Sequence, residues 1–336
     1  MKYLVTGITG FAAPHLANLL VDEGHEVVGL TRRDNGMETD ILDIVPVTTF
    51  EKIKFVSCDI RNRPKVFKLF AAQKFDGVFH LAAQSHPPTS FSDPNLTFAT
   101  NIGGSANLID AITETQKDTC KMMFCSTSEV YGNIGIDGRK IKENDLILPA
   151  NPYGVSKAAI DLYMQERMKN GYLHGFITRA FSHCGPRRGK NFSISSDAYR
   201  LARMAVDQDL TRRLGIGNLE TTRVVMDVRD AVMAYYMLMA NPKSDGHVYN
   251  VCGDVPRKMG FFTDRLIEIS GLSSVTKVGL PELYRPHDIM YQHGDTEALK
   301  TLTGWEPRID IDTTLHNLYC YWVGNCKKSL DKPNVL

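Results

Sequence analysis

No uninterrupted apolar run in this chain of 336 residues approaches the ~20 residues that a helix needs to cross a bilayer, so no membrane partner is expected. Cysteine is sparse and unpatterned. The seven residues, Cys58, Cys120, Cys125, Cys184, Cys252, Cys320 and Cys326, are odd in number and include no Cys-x-x-Cys pair. Neither a zinc site nor a disulfide framework is suggested, no metal is expected, and a reduced, cytoplasmic setting fits. An excess of one charge is missing too, since 39 basic residues stand against 38 acidic ones. No global field would recruit nucleic acid, and an anionic substrate must be gripped by local Arg or Lys clusters. Met1 runs straight into the apolar residues 3–5 with no positively charged prelude, so no leader is expected. Internal repeats, low-complexity tracts and obvious linkers are absent, and the tail 331–336 is expected to fray.

What the sequence does contain is alternation. Short apolar runs at 2–6, 26–30, 54–58, 77–80, 122–126 and 175–179 are separated by helical patterns such as 13–23, 63–73, 101–115 and 153–169. That rhythm predicts an α/β fold with a doubly wound parallel sheet. After Arg179 come Gly, Pro and Arg clusters at 185–189 and 215–218, a helix near 230–239, a strand at 247–251, then short helices and turns. The expected division is a dinucleotide domain over 1–179 with about 224–245, and a smaller interleaved α/β lobe over 180–223 and 246–330.

The first strand leads into Thr6-Gly7-Ile8-Thr9-Gly10-Phe11-Ala12-Ala13. Glycine permits a tight turn and lets backbone N–H groups approach a pyrophosphate at the helix start, while alanine still allows close helix–strand packing. The second strand ends in Thr31-Arg32-Arg33, with no carboxylate for a ribose diol. Two guanidinium groups suit the 2′-phosphate of NADP, so NADP is expected ahead of NAD. Asp59, after the third strand, either meets the adenine amino group or caps the next helix.

Tyr153 and Lys157 lie four residues apart in a predicted helix, hence on one face. A lysine ammonium beside a phenol is expected to lower the tyrosine pKa toward working pH, which suits proton removal from a hydroxyl while hydride leaves the same carbon. Ser126-Thr127-Ser128-Glu129-Val130-Tyr131-Gly132 follows a strand end, where open α/β sheets place chemistry.

With Phe79-His80-Leu81-Ala82-Ala83-Gln84, the run Arg179 to Arg188 and Asp227-Val228-Arg229-Asp230, these pieces resemble the extended short-chain dehydrogenase/reductases that modify nucleotide sugars. The match is nearest to the GDP-mannose 4,6-dehydratases and their GDP-manno-heptose relatives, through Gly7-Ile8-Thr9-Gly10, the Arg32-Arg33 pair and Ala82-Ala83-Gln84-Ser85. The resemblance implies a Rossmann domain holding the cofactor through Gly7, Thr9, Gly10, Phe11, Ala12, Arg32, Asp59, Ile60, Leu81, Ala82, Ala83 and Gln84, together with Tyr153 and Lys157. It implies Tyr153 as the C4 base, Lys157 on the nicotinamide ribose, Thr127 on the C4 oxygen and Glu129 as the C5 base, with loss of the C6 hydroxyl giving a 4-keto-6-deoxy sugar. Ser128 stands where other dehydratases carry the Asp that protonates the leaving hydroxyl, so Glu129 or water must cover that step. The substrate is expected against Ser85, His86, Ser128, Ser182, Arg188, Asn218, Arg223 and Arg285. Ser182 replaces an Asn common in the family and is shorter; His86 either touches the sugar or is structural. Asn101 and Tyr131 are expected as scaffold. The resemblance also implies a homodimer or homotetramer through the helices at 101–115 and 153–169.

The rival reading is a GDP-6-deoxymannose or GDP-heptose 4-reductase or 4-dehydrogenase, which Gly217–Glu220 (217–220), 227–230 and 303–308 resemble at least as well. A 4-epimerase fits the Arg pair less well. A non-catalytic sensor or RNA-binding relative is disfavoured because Thr127, Tyr153 and Lys157 are all kept and the net charge is near zero.

Overall fold

Successive side chains of a strand point to opposite faces, and the strands here are apolar on both. In β1 (Lys2–Thr6), Tyr3 and Val5 enter one buried cluster while Leu4 enters another. The same split recurs at Phe79 against Val78 and at Phe176 against Ile177. Strands buried on both faces require helices on both sides. The computed structural model, which describes residues 1–32, 37–208, 211–285 and 287–330, has this arrangement. Arg33 and the tail 331–336 lie outside the described residues.

The sheet strands are β1, β2 (Glu26–Thr31), β3 (Ile53–Ser57), β4 (Gly77–His80), β5 (Lys121–Thr127), β6 (His174–Ala180) and β7 (Val248–Val251). Their order is β7-β6-β5-β4-β1-β2-β3, and every pairing is parallel. The order reverses between β1 and β4, and ligands of such sheets bind at the carboxyl ends beside that reversal. Helix α1 (Ala12–Asp22) follows β1, α2 (Arg63–Ala72) follows β3, and α3 (Ser105–Thr115) precedes β5. The helix expected over 101–115 opens instead as a π-helical turn, Ala99–Gly104. Gly104 there faces Ile60 so closely that a Cβ would lie 2.6 Å from Ile60 Cγ1.

Helix α4 (Pro152–Lys169) carries the Tyr153/Lys157 pair and is anchored to β6 by a buried ion pair. Arg179 gives Nε and Nη2 to the two carboxylate oxygens of Asp161, each at 2.9 Å, and Nη1 to Tyr131 Oη and the Glu143 carbonyl. Removing either partner of such a pair costs about 3–5 kcal/mol. The Tyr131 hydroxyl donates to Asn250 Oδ1, and Asn101 bonds both backbone atoms of Gln84 and Ser156 Oγ, so both serve as scaffold.

The second half departs from expectation in three places. An amphipathic helix, α5 (Ser193–Val206), follows the Arg cluster where no helix was expected. The region 246–330 was expected in the smaller lobe, yet β7 pairs with β6 at the sheet edge, because its Tyr249 and Val251 complete the sheet's apolar face. Finally, the chain ends in a long helix, α8 (Ile311–Leu330), rather than in short helices and turns. Between α6 (Val228–Ala240) and α8 runs α7 (Met259–Ser270). Leu201 of α5, Phe262 and Leu266 of α7, and Leu315 and Leu318 of α8 form the lobe's own core. No helix among the described residues is long and apolar enough to cross a membrane.

Candidate active site

The turn after β1 is built around one hydroxyl. Thr6 Oγ1 accepts from Leu81 N at 3.1 Å and Ala82 N at 3.0 Å, and it bonds His80 Nδ1 at 2.8 Å. With both lone pairs used, the Thr6 hydrogen goes to Nδ1, and the ring proton of His80 sits on Nε2 against Ser105 Oγ. This draws the β1 and β4 ends together. Gly7 has φ +70°, and a Cβ on it would lie 2.9 Å from Ala82 Cα.

A single cleft of about 1160 Å³ opens over these strand ends. Among the described residues, every expected site residue except Asp59 lines it: Gly7, Thr9, Gly10, Phe11, Ala12, Arg32, Ile60, Leu81, Ala82, Ala83, Gln84, Ser85 and His86 on the β1/β4 side. Thr127, Ser128, Glu129, Tyr153, Lys157, Ser182, Arg188, Asn218, Arg223 and Arg285 form the rest. The Asp59 carboxylate is held by Arg61 through backbone N, Nε and Nη2, which keeps it below the usual carboxylate range. Nor does it cap α2, whose N-cap is Asn62. Gln84 turns its side chain to His86 and Thr97, shaping the loop.

The cleft wall suits a dinucleotide. A close-approach glycine sits in the turn that leads to the first helix, and two buried hydroxyls on the wall, Ser126 Oγ and Thr100 Oγ1, have no partner among the described residues. Such atoms are expected to be met by a ligand or water.

At the chemistry end, Tyr153 and Lys157 are both buried and share one face of α4. The expected lowering of the Tyr153 pKa is not found: burial drives it well above the ordinary value, and the hydrogen bond with Thr127 only partly opposes this. The Lys157 ammonium donates to the Cys125 carbonyl at 2.6 Å, and its own pKa is lowered by burial. Burial penalises the charged phenolate, and this outweighs the Thr127 bond and the Arg188 charge that favour it. Glu129 stands beside them, half-hidden, with Oε2 taking a 2.6 Å bond from Asn151 Nδ2 and Oε1 3.7 Å from Arg285 Nη1. Ser128 is pinned to Gln292 by its Oγ and carbonyl.

The arginines separate into different roles. Arg223 is buried and lies 3.5 Å from Asp288. Arg188 stacks over Phe192 at 3.5 Å and Phe11 at 4.9 Å, and no carboxylate pairs with it among the described residues. Burial pulls its pKa down to about 10. Arg187, next to it in sequence, is engaged elsewhere: its guanidinium binds the Thr9, Gly10 and Asp40 carbonyls and Asp43. His86 lines the cleft and bonds Thr89 Oγ1 and the Asn191 carbonyl through its two ring nitrogens, which ties the 84–92 loop to the lobe. Asn218 Oδ1 accepts from Glu220 N.

The family model described as GDP-mannose 4,6 dehydratase matches residues 4–318. The chain belongs to that family. The GDP-6-deoxy-D-mannose reductase of Pseudomonas aeruginosa is 32% identical over 248 residues, covering 74% of this chain and 80% of that protein. The human GDP-mannose 4,6 dehydratase is 26% identical over 339 residues, covering 94% and 89%. Among solved structures, that of RMD from Pseudomonas aeruginosa complexed with NADPH matches with a TM-score of 0.80 at 26% identity, covering 96% of this chain and 99% of that one.

Two residues of this GDP-mannose 4,6 dehydratase family member were missed by sequence reasoning. Asn151 caps α4 and also holds Glu129; the Asn-Pro pair that opens the helix was a visible capping signal. Asp197 of α5 lines the cleft while almost fully buried, a position no local pattern marks.

Proposed function

We propose that this enzyme is a nucleotide-sugar 4,6-dehydratase that converts GDP-mannose or GDP-manno-heptose to the 4-keto-6-deoxy product with NADP. The observation that carries it is Glu129. A single hydride transfer needs only the Tyr153/Lys157 pair, whereas this cleft holds a second acid–base group beside it, oriented by Asn151.

Bound along the β1/β4 side, the dinucleotide supplies the hydride acceptor and donor. In this reading the sheet domain holds it and the lobe holds the nucleotide sugar. Thr127 orients the C4 oxygen, and Tyr153, with the Lys157 charge on the same helix face, takes the proton of the C4 hydroxyl while hydride leaves C4. Glu129 then removes the C5 proton that the 4-keto group has acidified and passes it to the C6 hydroxyl, which leaves as water; hydride return to C6 and a proton taken up at C5 complete the 4-keto-6-deoxy sugar. Arg188, Arg223 and Arg285 are cations of the right kind for a diphosphate.

The second reading is the 4-reductase. The 32% identity to a GDP-6-deoxy-D-mannose reductase favours it, as does a Tyr153 kept protonated and able to donate to a 4-keto oxygen. Incubation with each GDP-sugar without added cofactor, followed by NMR, separates the two. A 4-keto-6-deoxy product supports the dehydratase. Oxidation at C4 that needs stoichiometric cofactor and leaves C6 intact sinks it. Glu129→Gln should abolish dehydration and leave partial C4 oxidation; full activity would remove Glu129 from the mechanism.

A further inference from the structure

Asp197 is a buried carboxylate with an unused side. It lies in the first half of α5, is only 5% exposed, and still lines the cleft with Arg200, Asn218, Met259 and Tyr284. Its Oδ2 accepts from Thr263 Oγ1 of α7 at 2.8 Å, and Oδ1 has no donor among the described residues. An ionised carboxylate has about four acceptor sites, so one hydroxyl leaves most of them unmet. Burial pushes its pKa up to about 6, with the Thr263 bond and the Arg200 charge opposing the rise. A carboxylate held dry, ionised at neutral pH and open only to a cavity is poised to accept from whatever enters there.

We propose that Asp197 reads the nucleobase of the bound nucleotide sugar, and that it selects guanine by accepting from N1–H and the N2 amino group. This rests on the reading of the cleft as a nucleotide-sugar site. Among the common bases, only guanine presents two adjacent donors on its pairing edge. Uracil sets a single N–H between two carbonyls, which would face the carboxylate oxygens. Adenine and cytosine place a ring acceptor beside the amino group. Thr263 has the part of a positioning residue, fixing the carboxylate plane by a bond that leaves Oδ1 and one lone pair of Oδ2 free. A site built to accept from donors rejects an analogue that lacks them, because its own polar atoms are then left unpaired.

The test is calorimetric binding of GDP, IDP, XDP and UDP to the wild-type enzyme and to Asp197→Asn at pH 7.5. Wild type should bind GDP about 10- to 100-fold more tightly than IDP, which lacks the N2 amino group, and should bind XDP and UDP more weakly still. Asp197→Asn should lose a similar factor for GDP and gain XDP, since an amide offers an acceptor to N1–H and a donor to the xanthine O2. Unchanged ratios in the variant overturn the assignment, while GDP binding itself leaves the nucleotide-sugar reading standing. If no diphosphate binds wild type, both fall together. Should the variant not fold, equal GDP and IDP affinities in wild type overturn the proposal without it.

Discussion

Asn151 ties Glu129 to helix α4. Its Nδ2 donates to Glu129 Oε2 at 2.6 Å, while its Oδ1 accepts from Gly154 N at 2.8 Å and caps α4. The amide can face only one way, because a backbone N–H must be met by its oxygen. One side chain therefore fixes a carboxylate relative to the helix turn that carries Tyr153.

Replacing Asn151 with Ser separates those two duties. Serine caps a helix about as well as asparagine, whereas Asn151→Ala should cost about 1 kcal/mol of stability. Neither side chain reaches Glu129. Both variants should slow solvent deuterium exchange at C5, read by NMR, by about 10- to 100-fold, with C4 oxidation spared in the Ser variant. Normal C5 exchange in Asn151→Ser would reduce Asn151 to a cap.

Stability should fall with pH through His80. Burial, with the Lys157 charge adding, pushes its pKa down to about 3. Below the ordinary value of about 6.5 the unfolded chain takes a proton that the folded ring refuses, so stability is lost as pH drops from about 6.5 toward 3. His183, pushed down to about 4, acts in the same direction. Asp197, pushed up to about 6, opposes it: the folded carboxyl keeps a proton that the unfolded chain has released, so stability falls as pH rises from about 4 to 6. Comparing wild type with His80→Gln at each pH isolates the His80 part. Wild type should lose melting temperature between pH 7 and pH 5 faster than the variant; parallel curves would contradict the buried neutral imidazole.

Local features of this chain were readable before the fold was known. The apolar runs, Gly7 and Gly10 in the first turn, and the four-residue spacing of Tyr153 and Lys157 all depend on near neighbours. The misreadings share a different cause. The pKa of Tyr153 goes up because burial is a property of the packed site, not of the helix face. Arg187 and Arg188 are adjacent in sequence, yet one spends its donors on backbone carbonyls and the other stacks on Phe192. Residue type alone does not separate such neighbours. The long terminal helix α8 is held by Leu315 and Leu318 against α5 and α7, contacts that its mixed polar and aromatic pattern does not announce.

We propose that cofactor choice rests on Arg32, exposed on the cleft at the end of β2 and close enough to lower the Asp59 pKa. Arg32→Ala should weaken NADPH by about 10- to 100-fold, the worth of hydrogen bonds to a charged group, and leave NADH unchanged. Fluorescence titration of the two dinucleotides reads this directly. Equal losses for both would assign Arg32 elsewhere than the 2′-phosphate.

Arg187 should act on the dinucleotide without touching it. Its Nε and Nη2 donate to the Gly10 and Thr9 carbonyls at 3.0 Å each, and Nη1 meets Asp43 at 2.7 Å. Asp43 in turn accepts from the Tyr321 hydroxyl of α8 at 2.6 Å. Gly7 and Ile8 N–H bond the Leu30 carbonyl and Gly10 N–H bonds the Gly7 carbonyl, so fixing the Thr9 and Gly10 carbonyls holds this turn in the shape that presents the helix start to a pyrophosphate. The residue has φ +73°, a conformation glycine adopts freely, so Arg187→Gly removes the clamp while easing the backbone. Affinity for NADPH and NADH should fall together by about 10-fold, the worth of one or two lost hydrogen bonds, with no change in salt dependence. Arg187→Lys should not restore it, because one ammonium cannot span acceptors that a planar fork reaches. Rescue by lysine, or a shallower salt dependence, would mean that the charge itself contacts phosphate.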